Sequence, residues 1–135
     1  MSSQRWRLDG QLALVTGGSA GIGRAIAREL LGFGARVLIA ARDGNGLDAV
    51  RIELEEEFPD GEVRTFVSDV SDDEQRRELL DWVEDIGDGL NILVNNAGGN
   101  LTRPAIEYSE DEWRNIFEVN LFSAFELARS TNPLL

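Results

Sequence analysis

The chain has 135 residues, enough for one domain with a buried core, and carries 13 basic residues, all arginine, against 25 acidic ones, for a formal net charge of −12. That acidic balance argues against nucleic acid and anionic membrane surfaces as partners. Cysteine, histidine and lysine are all missing, so there is no disulfide framework and no thiol chemistry, and no metal site is expected. The first ten residues have no apolar signal core, and no apolar run approaches ~18 residues. A soluble cytoplasmic protein is the expectation.

Residues 1–10 read as a lead-in. An apolar run over residues 12–16 predicts the first strand, ending in Thr16. A glycine-rich turn follows. Ile22, Ala25, Ile26, Glu29 and Leu30 then mark a helix over residues 21–33, with Gly32 and Gly34 as stop signals. Residues 36–41 hold Val37, Leu38 and Ile39 in a continuous apolar run, the pattern of a strand covered on both faces. Capping residues lie at Asp43 to Asn45, and Leu47, Val50, Leu54 and Phe58 recur at helical spacing until Pro59, Asp60 and Gly61 end the helix. A third strand covers residues 63–67 and breaks at Ser68 and Asp69. Ser71 and Asp72 start a third helix with Leu79, Leu80, Val83 and Ile86 as its buried positions, and Gly87 and Gly89 close it. Residues 90–94 predict a fourth strand, residues 100–109 a loop, and residues 110–131 a last helix stopped by Pro133.

The order βαβαβαβα implies a parallel sheet with right-handed crossovers. The expected strand order is 3-2-1-4, with a ligand crevice between strands 1 and 4, outside their carboxyl ends. The turn after the first strand carries the chemistry. Its spacing is Gly-x-x-x-Gly-x-Gly, with Gly18 as an extra glycine. Gly17 permits a tight turn off the strand, Gly21 lets a pyrophosphate approach the backbone, and Gly23 lets the helix lie close to the strand. Free N–H groups and the helix dipole then face the anion.

Three motifs in order, TGGSAGIG over residues 16–23, Asp69-Val70 after the third strand and NNAG over residues 95–98, resemble those of the short-chain dehydrogenase/reductase family. The spacing is similar to its single-domain branch, and NNAGGNLTRPAIEYSEDEW over residues 95–113 is similar to its tropinone-reductase-like members. The resemblance covers essentially the whole chain and implies a Rossmann-like, doubly wound α/β domain over residues 1–135. It implies that Gly17, Ser19, Ile22 and Gly23 wrap the phosphates and ribose of a nicotinamide dinucleotide. By the same resemblance Asp69 bonds the adenine amino group with the Val70 backbone beside it, and Asn96, Ala97 and Gly98 sit at the adenosine ribose and the crevice. Asn95 would tie the loop to the central sheet. Asn120 matches a helix asparagine whose backbone carbonyl helps hold a water on the proton relay. Read alone, Asp69 is a cap for the turn into the third helix; the three motifs together favour the adenine role. For Asn120, a structural bond to a neighbouring loop stands beside the catalytic role.

The residue at the end of the second strand decides the cofactor. An acid there favours NAD, and an arginine attracts the 2′-phosphate of NADP. Ala41 ends the strand and Arg42 follows, which resembles the NADP-preferring members. Asp43 reads either as a ribose partner or as an N-cap for the next helix, the cap being favoured. The family's basic residue within the glycine loop has no match, since Ala20 stands there. NADP therefore rests on Arg42, with NAD as the lesser alternative.

The family's chemistry also requires a serine and a Tyr-x-x-x-Lys pair on a later helix, where the lysine lowers the tyrosine pKa. Here there is no lysine, and the only tyrosine, Tyr108, precedes an acidic run that would raise its pKa. The last helix is a crossover that should lead to another strand. The chain thus reads as the N-terminal half of a short-chain oxidoreductase, without the C-terminal strands. Its fourth strand would be an open edge, and Trp113, Ile116, Phe117, Leu121, Phe122, Phe125 and Leu127 surround much of the last helix. The resemblance implies that this helix also packs on a partner subunit, so a homo-oligomer is expected. The leading reading is an NADP-dependent oxidoreductase present as its cofactor-binding half, with a small carbonyl or alcohol substrate once the other half is supplied. The alternative is a non-catalytic dinucleotide-binding or self-associating module.

Overall fold

Leu12–Thr16 (β1), Arg36–Ala41 (β2), Val63–Val67 (β3) and Ile92–Val94 (β4) form one parallel sheet in the order β3-β2-β1-β4. The computed structural model describes residues 5–135. β1 lies in register with β2 from Leu12 opposite Arg36 to Thr16 opposite Ala40, and with β4 from Ala13 opposite Ile92 to Val15 opposite Val94. Helices Gly21–Gly32 (α1), Gly44–Glu57 (α2) and Asp73–Ile86 (α3) follow the first three strands. After β4 the chain makes a 3₁₀ turn at Ala105–Glu107. It then enters a helical rod made of Glu110–Phe117 (α4), a π-helical turn over Glu118–Phe122 and Ser123–Thr131 (α5). A last 3₁₀ turn, Asn132–Leu134, contains Pro133.

Helices cover both faces of the sheet, which is why the central strands read as unbroken apolar runs. On one face Val15, Val37 and Ile39 join Ala27 and Leu31 of α1 and Leu47, Val50 and Leu54 of α2 in one buried cluster. On the other, Leu12, Leu14, Leu38 and Ala40 join Leu79 and Val83 of α3 and Leu127 of α5. Leu80 and Ile86, expected in the core, are only half-buried. Arg76 takes a buried position instead, and Trp82 stacks on Phe66 of β3 with ring centroids 4.9 Å apart.

The fourth strand is two residues shorter than its apolar run. The Asn91 side chain accepts the Leu12 N–H at 2.8 Å while the Asn91 N–H bonds the Leu12 carbonyl at 2.9 Å. A side chain thus replaces the first rung of the ladder, and regular pairing begins at Ile92. In the rod, the Ser123 N–H bonds Glu118, five residues back, instead of four. The register slip frees carbonyls, and side chains meet two of them: Asn120 Nδ2 donates to Ile116 at 2.9 Å and Ser123 Oγ to Val119 at 2.6 Å.

Three helix starts are capped. Asp43 accepts the Gly46 N–H at 3.1 Å, Asp72 accepts the Gln75 N–H at 2.9 Å, and Ser109 with Glu112 forms a capping box. α1 differs: Ala20 precedes it with no capping side chain, and its first turn holds no acid. Among the described residues no helix is long and apolar enough to cross a membrane.

Leu38, 1% exposed at the middle of β2, anchors the second cluster. Leu38→Ala is expected to lower stability in urea unfolding by about 2–5 kcal/mol. Ile52→Ala, at a site 50% exposed on α2, is expected to shift it by no more than about 0.5 kcal/mol. Equal losses at the two positions would contradict this assignment of the core.

Candidate functional site

The bend between β1 and α1 is held by contacts that only glycines allow. Gly17 has φ +66°, and a Cβ there would sit 3.0 Å from the Ala97 Cα. A Cβ on Gly23 would fall 2.4 Å from the Gly17 carbonyl oxygen and 2.5 Å from the Asn96 amide nitrogen. That amide donates to the Gly17 carbonyl at 3.0 Å. Gly21, at φ +56°, has nothing within 4 Å of a built Cβ, so its backbone faces open space. Gly18 has a packing role that its place in the motif does not reveal: a Cβ there would meet the Ile39 Cγ2 at 2.4 Å.

Thr16 joins the bend to the loop after β4. It is buried, donates to the Val94 carbonyl at 3.3 Å, and accepts the N–H groups of Asn96 and Ala97 at 3.1 and 3.0 Å. The threonine was legible only as the residue before the glycines. Its partners lie some eighty positions away.

These contacts frame a crevice of about 450 Å³ beyond the carboxyl ends of the strands. Its walls are Gly17 and Ser19 from the bend, Ala40 to Asp43 from the end of β2, Ser68, Asp69 and Val70 after β3, Ala97 and Gly98 after β4, and Val119 from the rod. This is where the chain changes direction between β1 and β4, the usual ligand position in a doubly wound sheet. Seven of the cofactor residues read from the sequence line it: Gly17, Ser19, Arg42, Asp69, Val70, Ala97 and Gly98. The other four do not. Gly23 and Asn96 support it from behind, Gly21 lies open at the start of α1, and the Ile22 residue is 74% exposed.

Asp69 makes the contacts of the cap reading. Its Oδ1 accepts the Ser71 N–H at 3.0 Å and the Ser71 hydroxyl at 2.6 Å, as a turn cap would. Its Oδ2 and the Val70 N–H take no hydrogen bond among the described residues, so an acceptor and a donor remain side by side on the crevice wall. Asp43 acts as the helix cap. Arg42 is exposed and borders both the crevice and an adjoining hollow of about 200 Å³. Eleven of the thirteen arginines pair with a carboxylate. Among the described residues Arg42 forms no such pair, and the remaining Arg5 lies over the Trp6 ring. Across the hollow, the Ser109 backbone N–H, the Ser109 hydroxyl and the Arg103 guanidinium hold the Glu112 carboxyl below the usual carboxylate range.

The side chain of Asn120 makes the structural bond. Its Oδ1 accepts the Gly99 N–H at 3.0 Å and its Nδ2 donates to the Gly99 carbonyl at 2.6 Å, locking the π-helical turn to the loop after β4. Asn95 ties that loop to the rod rather than to the sheet, since its Nδ2 donates to the Ala124 carbonyl at 3.3 Å. The Tyr108 hydroxyl donates to the Leu101 carbonyl, within its own loop. Among the described residues no group of His, Cys, Asp or Glu is placed to hold a metal ion.

Known proteins share this framework. A family model described as short chain dehydrogenase matches residues 11–135. A tropinone reductase homolog of Arabidopsis thaliana is 46% identical over 133 residues, which is 97% of this chain and 48% of that protein. The RhlG/NADP active-site complex of Pseudomonas aeruginosa superposes with a TM-score of 0.87 at 35% identity, over 96% of this chain and 50% of the other. The L-sorbose reductase of Gluconobacter frateurii, complexed with NADPH and L-sorbose, superposes with a TM-score of 0.89 at 31% identity, over 95% and 48%. The chain therefore spans about half the length of the relatives it matches. With the parallel 3-2-1-4 sheet, the glycine bend and the crevice at the strand ends, these matches show that the chain belongs to the short-chain dehydrogenase family of Rossmann-fold oxidoreductases.

Proposed function

We propose that these residues are the NADP-binding half of an oxidoreductase that moves a hydride between nicotinamide and a small carbonyl or alcohol. The observation that carries the reading is the glycine bend at the crevice. Gly17, at φ +66°, and Ser19 line it together with Arg42, a guanidinium with no carboxylate partner among the described residues. Bound there, the dinucleotide supplies the hydride. The bend from Gly17 to Gly23 would receive its diphosphate, Asp69 and Val70 its adenine, and Arg42 its 2′-phosphate. Relatives solved with NADP or NADPH support the same reading. Hydride transfer itself is proposed for a longer family protein. In these residues there is no lysine, and the one tyrosine hydroxyl is bound to Leu101.

The rod supports a second part of the proposal, self-association. Trp113, Phe117, Leu121, Phe122 and Phe125 form a stripe at helical spacing and are between 42% and 62% exposed. A contiguous apolar stripe of this kind is uncommon on a monomer.

Two measurements test these readings. In fluorescence titrations the unmodified chain is expected to bind NADPH at least about tenfold more tightly than NADH, and Arg42→Ala to bring the two affinities together. Equal affinities in the unmodified chain would contradict the NADP assignment. In sedimentation the chain is expected to run as a dimer and Phe125→Glu as a monomer. A monomeric unmodified chain would contradict the second.

A further inference from the structure

Beyond Ser68, whose N–H bonds the Ala41 carbonyl at 2.9 Å, the crevice wall leaves the sheet. The next two residues border the crevice without a strand to hold them. The first turn of α3 holds them instead. Gln75 Oε1 accepts the Asp69 N–H at 2.8 Å, and the Gln75 carbonyl accepts the Ser68 hydroxyl at 3.3 Å. The Asp72 N–H donates to the Asp69 carbonyl at 3.1 Å. The Arg76 guanidinium donates to the Val70 carbonyl at 2.7 Å and to Asp73 at 3.1 Å.

Three successive peptide groups are thus pinned. Gln75 fixes the one before Asp69, Asp72 the one between Asp69 and Val70, and Arg76 the one after Val70. Among the described residues, the donor left over is the Val70 N–H, and the acceptor left over is the second carboxylate oxygen of the adjacent Asp69. A donor next to an acceptor complements the edge of adenine, whose N1 accepts and whose amino group donates. Arg76 is 8% exposed, and burying a guanidinium is unfavourable unless its hydrogen bonds are well placed. Here the bond is to one backbone carbonyl of the crevice wall, and the paired carboxylate of Asp73 is exposed.

We propose that Gln75 and Arg76 are positioning residues for base recognition, holding the Asp69–Val70 wall so that this crevice prefers adenine over a 6-oxopurine. The inference rests on the dinucleotide reading above. Its test compares NADPH with the reduced hypoxanthine analogue of the same dinucleotide, in which N1 donates and O6 accepts. Affinities are measured for the unmodified chain, Gln75→Leu, Arg76→Met and Arg76→Lys, with unfolding midpoints alongside. The unmodified chain is expected to prefer NADPH by about tenfold. Gln75→Leu and Arg76→Met are expected to bring that ratio to within about twofold, and Arg76→Lys, which keeps a charged donor, to retain most of it. A purely structural role would weaken both ligands together and keep the ratio. That result, or no preference in the unmodified chain, overturns the proposal. Should Arg76→Met fail to fold, Gln75→Leu at its half-buried position decides. Failure of the unmodified chain to bind NADPH at all would instead remove the dinucleotide reading.

Discussion

The Asn96 amide reaches the Gly17 carbonyl at 3.0 Å through space that a Cβ on either Gly17 or Gly23 would fill. This close approach brings α1, the end of β1 and the loop after β4 together, and the crevice is their shared boundary. The Thr16 hydroxyl completes the junction by taking two N–H groups of that loop. Because these donors are satisfied internally, the loop is fixed before any ligand arrives. Preorganised backbone of this kind binds an anion without the ordering penalty that a mobile loop would incur.

Charge is arranged to the same end. The chain is strongly acidic, yet its arginines are largely neutralised in place. Arg24 with Glu53 and Arg28 with Glu57 bridge α1 to α2, and shorter pairs run along α2, α3 and the rod. Exposed pairs like these add little stability. They leave Arg42, at the crevice, as a guanidinium without a carboxylate partner among the described residues. The surrounding negative charge disfavours loose binding of polyanions such as nucleic acid.

β1 and β2 were legible to the residue because both their faces are covered, which makes the apolar run itself the signal; β3, a half-exposed edge strand, was legible from its β-branched residues and the break at Ser68 and Asp69. The fourth was not, because a side chain of Asn91 imitates a backbone rung and nothing in the periodicity announces it. The π-helical turn was also hidden, since a one-residue slip leaves the apolar spacing almost unchanged. The bond that locks it to the loop after β4, from Asn120 to Gly99, joins residues 21 positions apart. The glycine bend, Arg42 and the Asp69–Val70 wall could be found from motif spacing and strand ends. Gln75 and Arg76 could not, because polar residues in a first helical turn ordinarily read as a solvated surface. Ile22, named by motif membership, is exposed at the start of α1 beside the crevice walls.

The central claim is that the amides of the β1–α1 bend receive the diphosphate of a dinucleotide, with the loop after β4 as the facing wall. Amide chemical shifts of the isotope-labelled chain during titration with NADPH test it most directly. Saturable shifts are expected for Gly17, Ser19, Gly23, Val70, Ala97 and Gly98, all at or behind one crevice. Shifts confined to the hollow at the opposite strand ends, around Arg7, Arg36 and Gly61, or no shifts at saturating ligand, would contradict it.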